Sequence, residues 1–293
     1  GLSVMRGPLF GAGTLGGIVL KAGVAHGVSN NHVLAQSFVP PPFNPVLGQP
    51  ILQPAVMDGG NYEGFADQVG ELAGWEEIIP GGQHEEYDIA DFRITVPWEP
   101  FILGLGAVRG LGQASLGQQV AASGRSSGAS TGQVRYLDVS LDIGGYGGPA
   151  PTRFIGLIGF TDWTIRAGDS GSWLLSGDTL VGICFAGGPD MALALSAPKV
   201  FTKRGYTLPP PPKGIALEEA LAPIWDIVER VWAWDNRTGI WRGYISSMPG
   251  TRDLYFLQPG MTLEIVVREP GSISLGGKPW ALRVGTKNWV GFH

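Results

Sequence analysis

The sequence predicts an all-β protein with one large domain and a smaller second one. Three observations lead there. The 293 residues include 47 glycines and 23 prolines, close to the ~25–30% of turn residues at which low-complexity disorder becomes the default. Yet 44% of the residues are hydrophobic and 10 are tryptophan, whereas disordered chains are poor in aromatics and rich in net charge. The glycines and prolines therefore punctuate a folded chain. Charged residues make up only 15%, against a usual ~25%. Long surface helices need charge on their outer face, so scarce charge beside abundant turn residues favours strands. The length suits one large β domain plus a small one.

Residues 1–36 read as glycine-broken strands, with the β-branched run Ile18-Val19-Leu20 after Gly16-Gly17. A Pro-rich loop follows from Val39 to Pro54, then an acidic stretch with glycine pairs from Asp58 to Glu86. From Asp88 to Val96 apolar Ile89, Phe92, Ile94 and Val96 recur, although Ala90-Asp91 disturbs the period. Further short strands are expected at 101–108, 118–122, 132–143, 153–160, 172–175, 179–185 and 191–196. Strands spaced every ~8–15 residues with Gly turns suggest a barrel or a sandwich. No helical pattern stands out in the first 200 residues, and no segment repeats. The run Pro209-Pro210-Pro211-Pro212 favours a stiff spacer. After it, Ala216 to Ile224 is the helix candidate, amphipathic through Leu217, Leu221 and Ile224. Val228 to His293 reads as more short strands, and six of the ten tryptophans follow residue 214.

Composition also excludes function classes. A net charge of −5 argues against nucleic acid as a partner, because phosphate binding needs a basic surface. No apolar run approaches the ~18 residues of a membrane span. Cys184 is the single cysteine, so no internal disulfide and no cysteine metal cage is expected. His26, His32, His84 and His293 lack the HExxH spacing, and neither a metal nor a cofactor is expected. No signal peptide is visible, since the first apolar stretch is broken by glycines. The chain begins at Gly1 rather than Met, so a preceding segment is expected to have been removed or left out. One cysteine is compatible with either side of a bacterial membrane, so an extracytoplasmic setting stays open.

Three segments carry chemistry. They are Val28-Ser29-Asn30-Asn31-His32-Val33-Leu34-Ala35 at an apparent strand end, Tyr87-Asp88-Ile89-Ala90-Asp91-Phe92-Arg93-Ile94, and Ala167-Gly168-Asp169-Ser170-Gly171-Ser172 ahead of the strand Trp173-Leu174-Leu175. A serine hydroxyl is a poor nucleophile at neutral pH. It needs a base within hydrogen-bond reach, and the base needs an orienting carboxylate. Glycines around Ser170 permit a tight turn whose backbone N–H groups converge on one point. Donors aimed where an oxyanion develops are worth roughly 3–4 kcal/mol each.

These residues resemble the chymotrypsin-like serine protease superfamily. The order His, Asp, Ser agrees, Gly168-Asp169-Ser170-Gly171-Ser172 resembles its nucleophile loop, and Asp88-Ile89-Ala90 resembles its aspartate strand. Asn31-His32-Val33-Leu34-Ala35 resembles the bacterial form of its histidine motif. Gly13-Thr14-Leu15-Gly16-Gly17-Ile18-Val19 looks like its first strand, and Ser123-Gly124-Arg125-Ser126-Ser127-Gly128 is similar to a segment of bacterial and viral members. The likeness spans roughly residues 8–205 and implies two six-stranded barrels, about 8–108 and 109–205, within a domain of residues 1–208. A linker at 209–214 and a Trp-rich β module at 215–293 complete the expected organisation.

The resemblance implies roles. Ser170 is the nucleophile, His32 the general base and Asp88 its orienting carboxylate. The N–H groups of Gly168 and Ser170 form the oxyanion hole. Asp169 lies buried beneath the loop, where a carboxylate needs donors; zymogen-activated relatives supply a newly cut N-terminus there, and no matching motif precedes the first strand here. Phe185, Ala186 and Gly187 belong to the strand that pairs with substrate backbone, and Thr164 forms the floor of the specificity pocket. A neutral floor gives Lys or Arg no ion pair, and an unpaired buried charge is costly, so a small or uncharged side chain is expected before the scissile bond. The implied activity is serine endopeptidase, of bacterial or phage type, acting on polypeptide through an acyl-enzyme.

Asp91 competes with Asp88 but is expected to be a solvent-side charge, and His26, His84 and His293 to be ordinary surface or loop residues. Gly11 to Gly16 fits GxGxxG, but a strand follows rather than a helix. Gly124-Arg125-Ser126-Ser127-Gly128 fits GxSxG, but no helix is expected after it and the later Asp…His order is missing. His84-Glu85-Glu86 with Asp88 reads as a solvated loop rather than a metal site. The sequon Asn236-Arg237-Thr238 has meaning only in a eukaryotic secretory route. The C-terminal tryptophan segments loosely resemble a small β module at the ends of bacterial surface or secreted proteins. Either the tryptophans fill a small core or they form a platform for a wall polymer or protein partner. A protease fold used for binding or assembly, and a self-processing protease, are the alternative functions.

Overall fold

The computed structural model describes residues 2–6, 11–41, 43–85, 87–163, 165–188, 190–210, 214–235, 239–248, 254, 256–258 and 260–292. The chain divides into two compact units, Gly1–Pro211 and Pro212–His293. Among the described residues no helix is long and apolar enough to cross a membrane.

The first unit is built from strands. Its first half holds β1 (Leu2–Arg6), β2 (Gly13–Leu15), β3 (Gly17–Lys21), β4 (Val24–Ser29), β5 (Pro50–Leu52), β6 (Gln68–Trp75), β7 (Gln83–Glu85) and β8 (Ala90–Ile94). Its second half holds β9 (Phe101–Ile102), β10 (Gly106–Ala107), β11 (Gly110–Leu111), β12 (Gln119–Gly124), β13 (Gly128–Ile143), β14 (Thr152–Thr161), β15 (Trp173–Ser176), β16 (Thr179–Gly187) and β17 (Ala192–Ser196), with β18 (Tyr206–Thr207) last. One sheet runs β18-β3-β4-β8-β6-β5-β1-β2, every neighbour antiparallel. Its core is Val4, Ile51, Leu72, Ala90 and Phe92, with Val33 and Leu34 packed among them. The other sheet closes on itself: β12 pairs β13, β13 pairs β14, β14 pairs β17, β17 pairs β16, β16 pairs β15, and β15 returns to β12. Closure removes exposed edges, and Val120, Val134, Phe160, Leu174, Cys184 and Ala194 fill the interior. The fold is an all-β double barrel, as the sequence predicts.

Several local expectations need correction. β1 lies ahead of the expected first strand and pairs with β2 and β5, so the barrel begins before residue 8. The acidic stretch, for which the sequence announces no strand, contains β6, whose Gly70 and Gly74 mask the alternation of Leu72 with its polar neighbours. His32 follows β4 in a single helical turn, α1 (Asn31–Leu34), rather than ending the strand. A helix also forms before residue 200, α2 (Ala197–Arg204). Its signals are Pro198 in the first turn, Lys203 and Arg204 in the last, and Gly205 in the left-handed conformation just after it, the usual start and stop of a short helix.

The second unit has its own core, centred on Val231, Ala233, Leu263, Ile265 and Val290. The helix expected at 216–224 is split into α3 (Leu217–Ala220) and a 3-10 segment, Ala222–Ile227. Pro223 divides them, because its ring has no N–H to continue the α ladder. A four-stranded antiparallel sheet joins Ile240–Ile245, Val228–Asp235, Thr262–Val267 and Asn288–Gly291 in that order. One face carries the aliphatic core. Trp234, Trp241, Thr262 and Trp289 line an open cavity of about 290 Å³, so these tryptophans do not fill the core. The sequon at 236–238 and His293 lie outside the described residues.

Asp91 and His26 depart furthest from expectation. Asp91 is fully buried and His26 is 8% exposed. Ala90, Asp91 and Phe92 are all buried because the neighbourhood of Arg204 and Tyr206 covers the outer side of β8. Asp91 accepts from His26 Nδ1 at 2.7 Å, Tyr206 Oη at 2.6 Å, Lys21 Nζ at 3.2 Å and Arg204. Burial alone would raise its pKa, but His26, Tyr206 and Arg204 outweigh burial and hold it well below the ordinary carboxylate range. The unfolded aspartate titrates near ~3.9. The stability from these pairings is therefore present in full above that pH and drains as pH falls toward the native value. Asp91→Ala should cost about 3 kcal/mol at pH 7, and the penalty should shrink at pH 3; urea unfolding at both pH values measures it.

Candidate active site

The site grows from the end of β4. The Ser29 hydroxyl donates to Thr14 O at 2.7 Å, and Asn30 Nδ2 to Asp88 O at 2.7 Å. These bonds seat α1 against the segment before β8. Two bonds then join His32 to Asp88. The His32 backbone N–H donates to Oδ1 at 3.0 Å, and Nδ1 lies 2.6 Å from Oδ2. Asp88 is fully buried, while a quarter of the His32 side chain is exposed. An ionised carboxylate only accepts, so Nδ1 carries the proton and Nε2 is left as the free acceptor. Burial opposes the charge on Asp88, but the pairing with His32 and a hydrogen bond from Tyr146 hold its pKa below the usual value.

Ser170 comes from the second barrel, on the turn between β14 and β15. Gly168 and Gly171 both take positive φ, +101° and +96°. A side chain at Gly171 would overlap the Ser29 hydroxyl and Thr14 O, so this position requires glycine on both counts. Thr14 clasps the turn from the first barrel: its N–H donates to Ser170 O and its hydroxyl to Gly168 O, each at 2.8 Å. The Ser170 hydroxyl donates to Phe185 O at 3.3 Å.

Beneath the turn, Asp169 is fully buried and accepts four hydrogen bonds. Ser126 N, Ser127 N and Arg166 N each donate at 2.9 Å, and the Ser127 hydroxyl donates at 2.6 Å. The hairpin between β12 and β13 thus supplies three of the four donors that this buried carboxylate accepts. It is itself anchored, for Arg125 makes a bidentate pair with Asp58 at 2.6 and 2.7 Å. The 123–128 segment stands out in the sequence, although nothing in it announces this task.

The expected substrate strand is the end of β16. The Phe185 side chain is buried and its ring packs on Phe154 at 5.2 Å, so the residue offers its backbone rather than its side chain. His32, Phe185 and Ala186 line a cavity of about 350 Å³ together with Phe38, Gly144 and Tyr146. Ala186 and Gly187 line a second, of about 380 Å³, with Ile143, Gly144 and Asp190. Thr164 lies outside the described residues. Cys184 is buried and its thiol is pushed up to about 12 by desolvation, which keeps it a thiol rather than a rival nucleophile. Among the described residues, no group of three His, Cys, Asp or Glu side chains could hold a metal. Sequence reasoning missed Tyr146, whose only signal was an aromatic set within four glycines.

No protein-family model and no curated protein sequence matches the chain. Solved structures do. A Nocardiopsis protease is 17% identical with a TM-score of 0.50, over 71% of this chain and 96% of that one. A glutamic acid specific serine protease, described as using a histidine triad in substrate binding, is 18% identical with a TM-score of 0.50, over 71% of this chain and 97% of that one. The first unit therefore has the chymotrypsin-like fold of these proteins.

Ser127→Ala removes the hydroxyl donor to Asp169 but keeps its backbone donor. It should lower the unfolding free energy by about 2 kcal/mol, as measured by urea denaturation.

Proposed function

We propose, on the premise of a chymotrypsin-like fold, that the chain is a serine endopeptidase with His32, Asp88 and Ser170 as its triad. The observation that carries this is the buried Asp88 accepting from His32 Nδ1 at 2.6 Å, beside a cavity that His32 shares with Phe185. Ser170 reaches that same residue through its hydroxyl. The Ser170 hydroxyl bonds Phe185 O and not His32; on this reading it turns to His32 when substrate binds, since catalytic hydrogen bonds commonly tighten only then.

In this reading Ser170 Oγ attacks the peptide carbonyl as His32 Nε2 takes its proton. The oxyanion falls to the N–H groups of Gly168 and Ser170. His32 then protonates the departing amine as the C–N bond breaks. Water, deprotonated by the same imidazole, hydrolyses the acyl-enzyme and restores Ser170. Asp88 stays ionised and keeps the Nδ1–H tautomer throughout.

The reading also assigns Phe185, Ala186 and Gly187 to the substrate backbone and Thr164 to the pocket floor. A Cβ on Gly187 would lie 3.1 Å from the Cβ of Ile165 and 3.5 Å from the Cα of Ala192. That narrow space, with a neutral floor in the sequence, supports a small or uncharged side chain before the scissile bond.

A second reading, a protease fold serving in binding or assembly, is favoured by one observation. Trp241 is 44% and Trp289 52% exposed, and exposed tryptophans suit a platform for a surface polymer or a protein partner. One experiment separates the readings. A peptide library should be cleaved after small or uncharged residues by the wild-type chain and not by Ser170→Ala. A profile dominated by Arg or Lys would overturn the pocket assignment, and no turnover of any peptide would favour the binding reading.

A further inference from the structure

Tyr146 does work that no motif announces. It sits in the connection between β13 and β14, at the centre of Gly144-Gly145-Tyr146-Gly147-Gly148. Its hydroxyl donates to Asp88 Oδ2 at 2.5 Å, the same oxygen that faces His32 Nδ1 at 2.6 Å. Its ring is 7% exposed. The ring is held edge-on to Phe38 at 5.2 Å and tilted on Phe154 at 5.2 Å, and it meets the His32 ring at 6.2 Å and 89°. The glycines explain how a surface connection delivers an aromatic so deeply. Gly147 takes φ +74°, and a Cβ there would come 2.7 Å from Phe38 O. Gly144 and Gly145 line the cavity that His32 and Phe185 share.

From this geometry we infer that Tyr146 is a positioning residue for the His32–Asp88 pair, delivered from the second barrel by the glycine-rich connection. The inference rests on the triad reading of that pair. Asp88 is thereby gripped from two sides, by His32 in the first barrel and Tyr146 in the second. The titratable groups bonded to Asp88 are these two. Burial, followed by the charge of Asp88, raises the Tyr146 pKa far above its ordinary value. The phenol therefore stays protonated and remains a donor over the whole working range. A donor of this kind draws charge from the carboxylate and moderates its pull on the imidazolium. Removing it should strengthen that pull and make His32 more basic. Strengthening it should do the reverse.

The test reads His32 directly, in the full chain carrying Ser170→Ala, so that no turnover is needed. The His32 imidazole is titrated by NMR in that background, with Tyr146→Phe and with 3-fluorotyrosine at position 146. Tyr146→Phe keeps the ring packing and loses the donor; the fluorinated phenol is a stronger acid and a stronger donor. The inference expects the His32 midpoint to rise with Phe and fall with fluorotyrosine, by several tenths of a pH unit in each case. In the serine-competent chain, Tyr146→Phe should lower kcat about tenfold with KM little changed. Midpoints that stay together, or that move in the same direction, overturn the inference. Opposite shifts in a chain that cleaves no peptide would uphold the positioning role while sinking the peptidase reading.

Discussion

The first unit depends on burying carboxylates without leaving them short of donors. Asp88, Asp91 and Asp169 are all fully buried, in a domain with few charges to spare. An ionised carboxylate in a low-dielectric interior is tolerable only when several donors converge on it. Each one therefore acts as a tie point. Asp88 gathers His32 and Tyr146, Asp91 gathers His26, Lys21, Arg204 and Tyr206, and Asp169 gathers the 126–127 hairpin and Arg166 N.

These ties divide the work. The Asp91 cluster joins β4 and β8 to the end of α2 and to β18, locking the strand that follows Asp88. The Asp169 cage fixes the floor of the Ser170 turn, while Thr14 holds its rim from the first barrel. The Asp88 bonds orient the imidazole. His32 and Ser170 arrive from different barrels, so the position of one relative to the other depends on residues that bridge them. Thr14 and Tyr146 are two such bridges.

Much of this was legible in the sequence. His32, Asp88 and Ser170 stand in motifs that the sequence displays, and the apolar runs that become β14 to β17 are dense enough to be read as strands. Other parts were hidden for physical reasons. Asp91 looked exposed because a single-strand pattern cannot reveal that Arg204 and Tyr206, over a hundred residues later, cover its outer face. Tyr146 was invisible because a glycine-rich run has no periodicity, and only the folded path brings its hydroxyl to Asp88. β6 was lost because glycines stand where side chains would mark its faces. In the second unit the sequence left the tryptophans as core or platform; Trp225 and Trp280 pack against the core, while Trp241 and Trp289 are exposed.

In the proposed triad Ser170 is an activated nucleophile and the Asp88–His32 pair orients its base. Peptide mapping by mass spectrometry after treatment with a fluorophosphonate tests it most directly. A single phosphonyl adduct is expected on Ser170, strongly slowed by His32→Ala and abolished by Ser170→Ala. An adduct elsewhere, or labelling at Ser170 that is indifferent to His32, would contradict it.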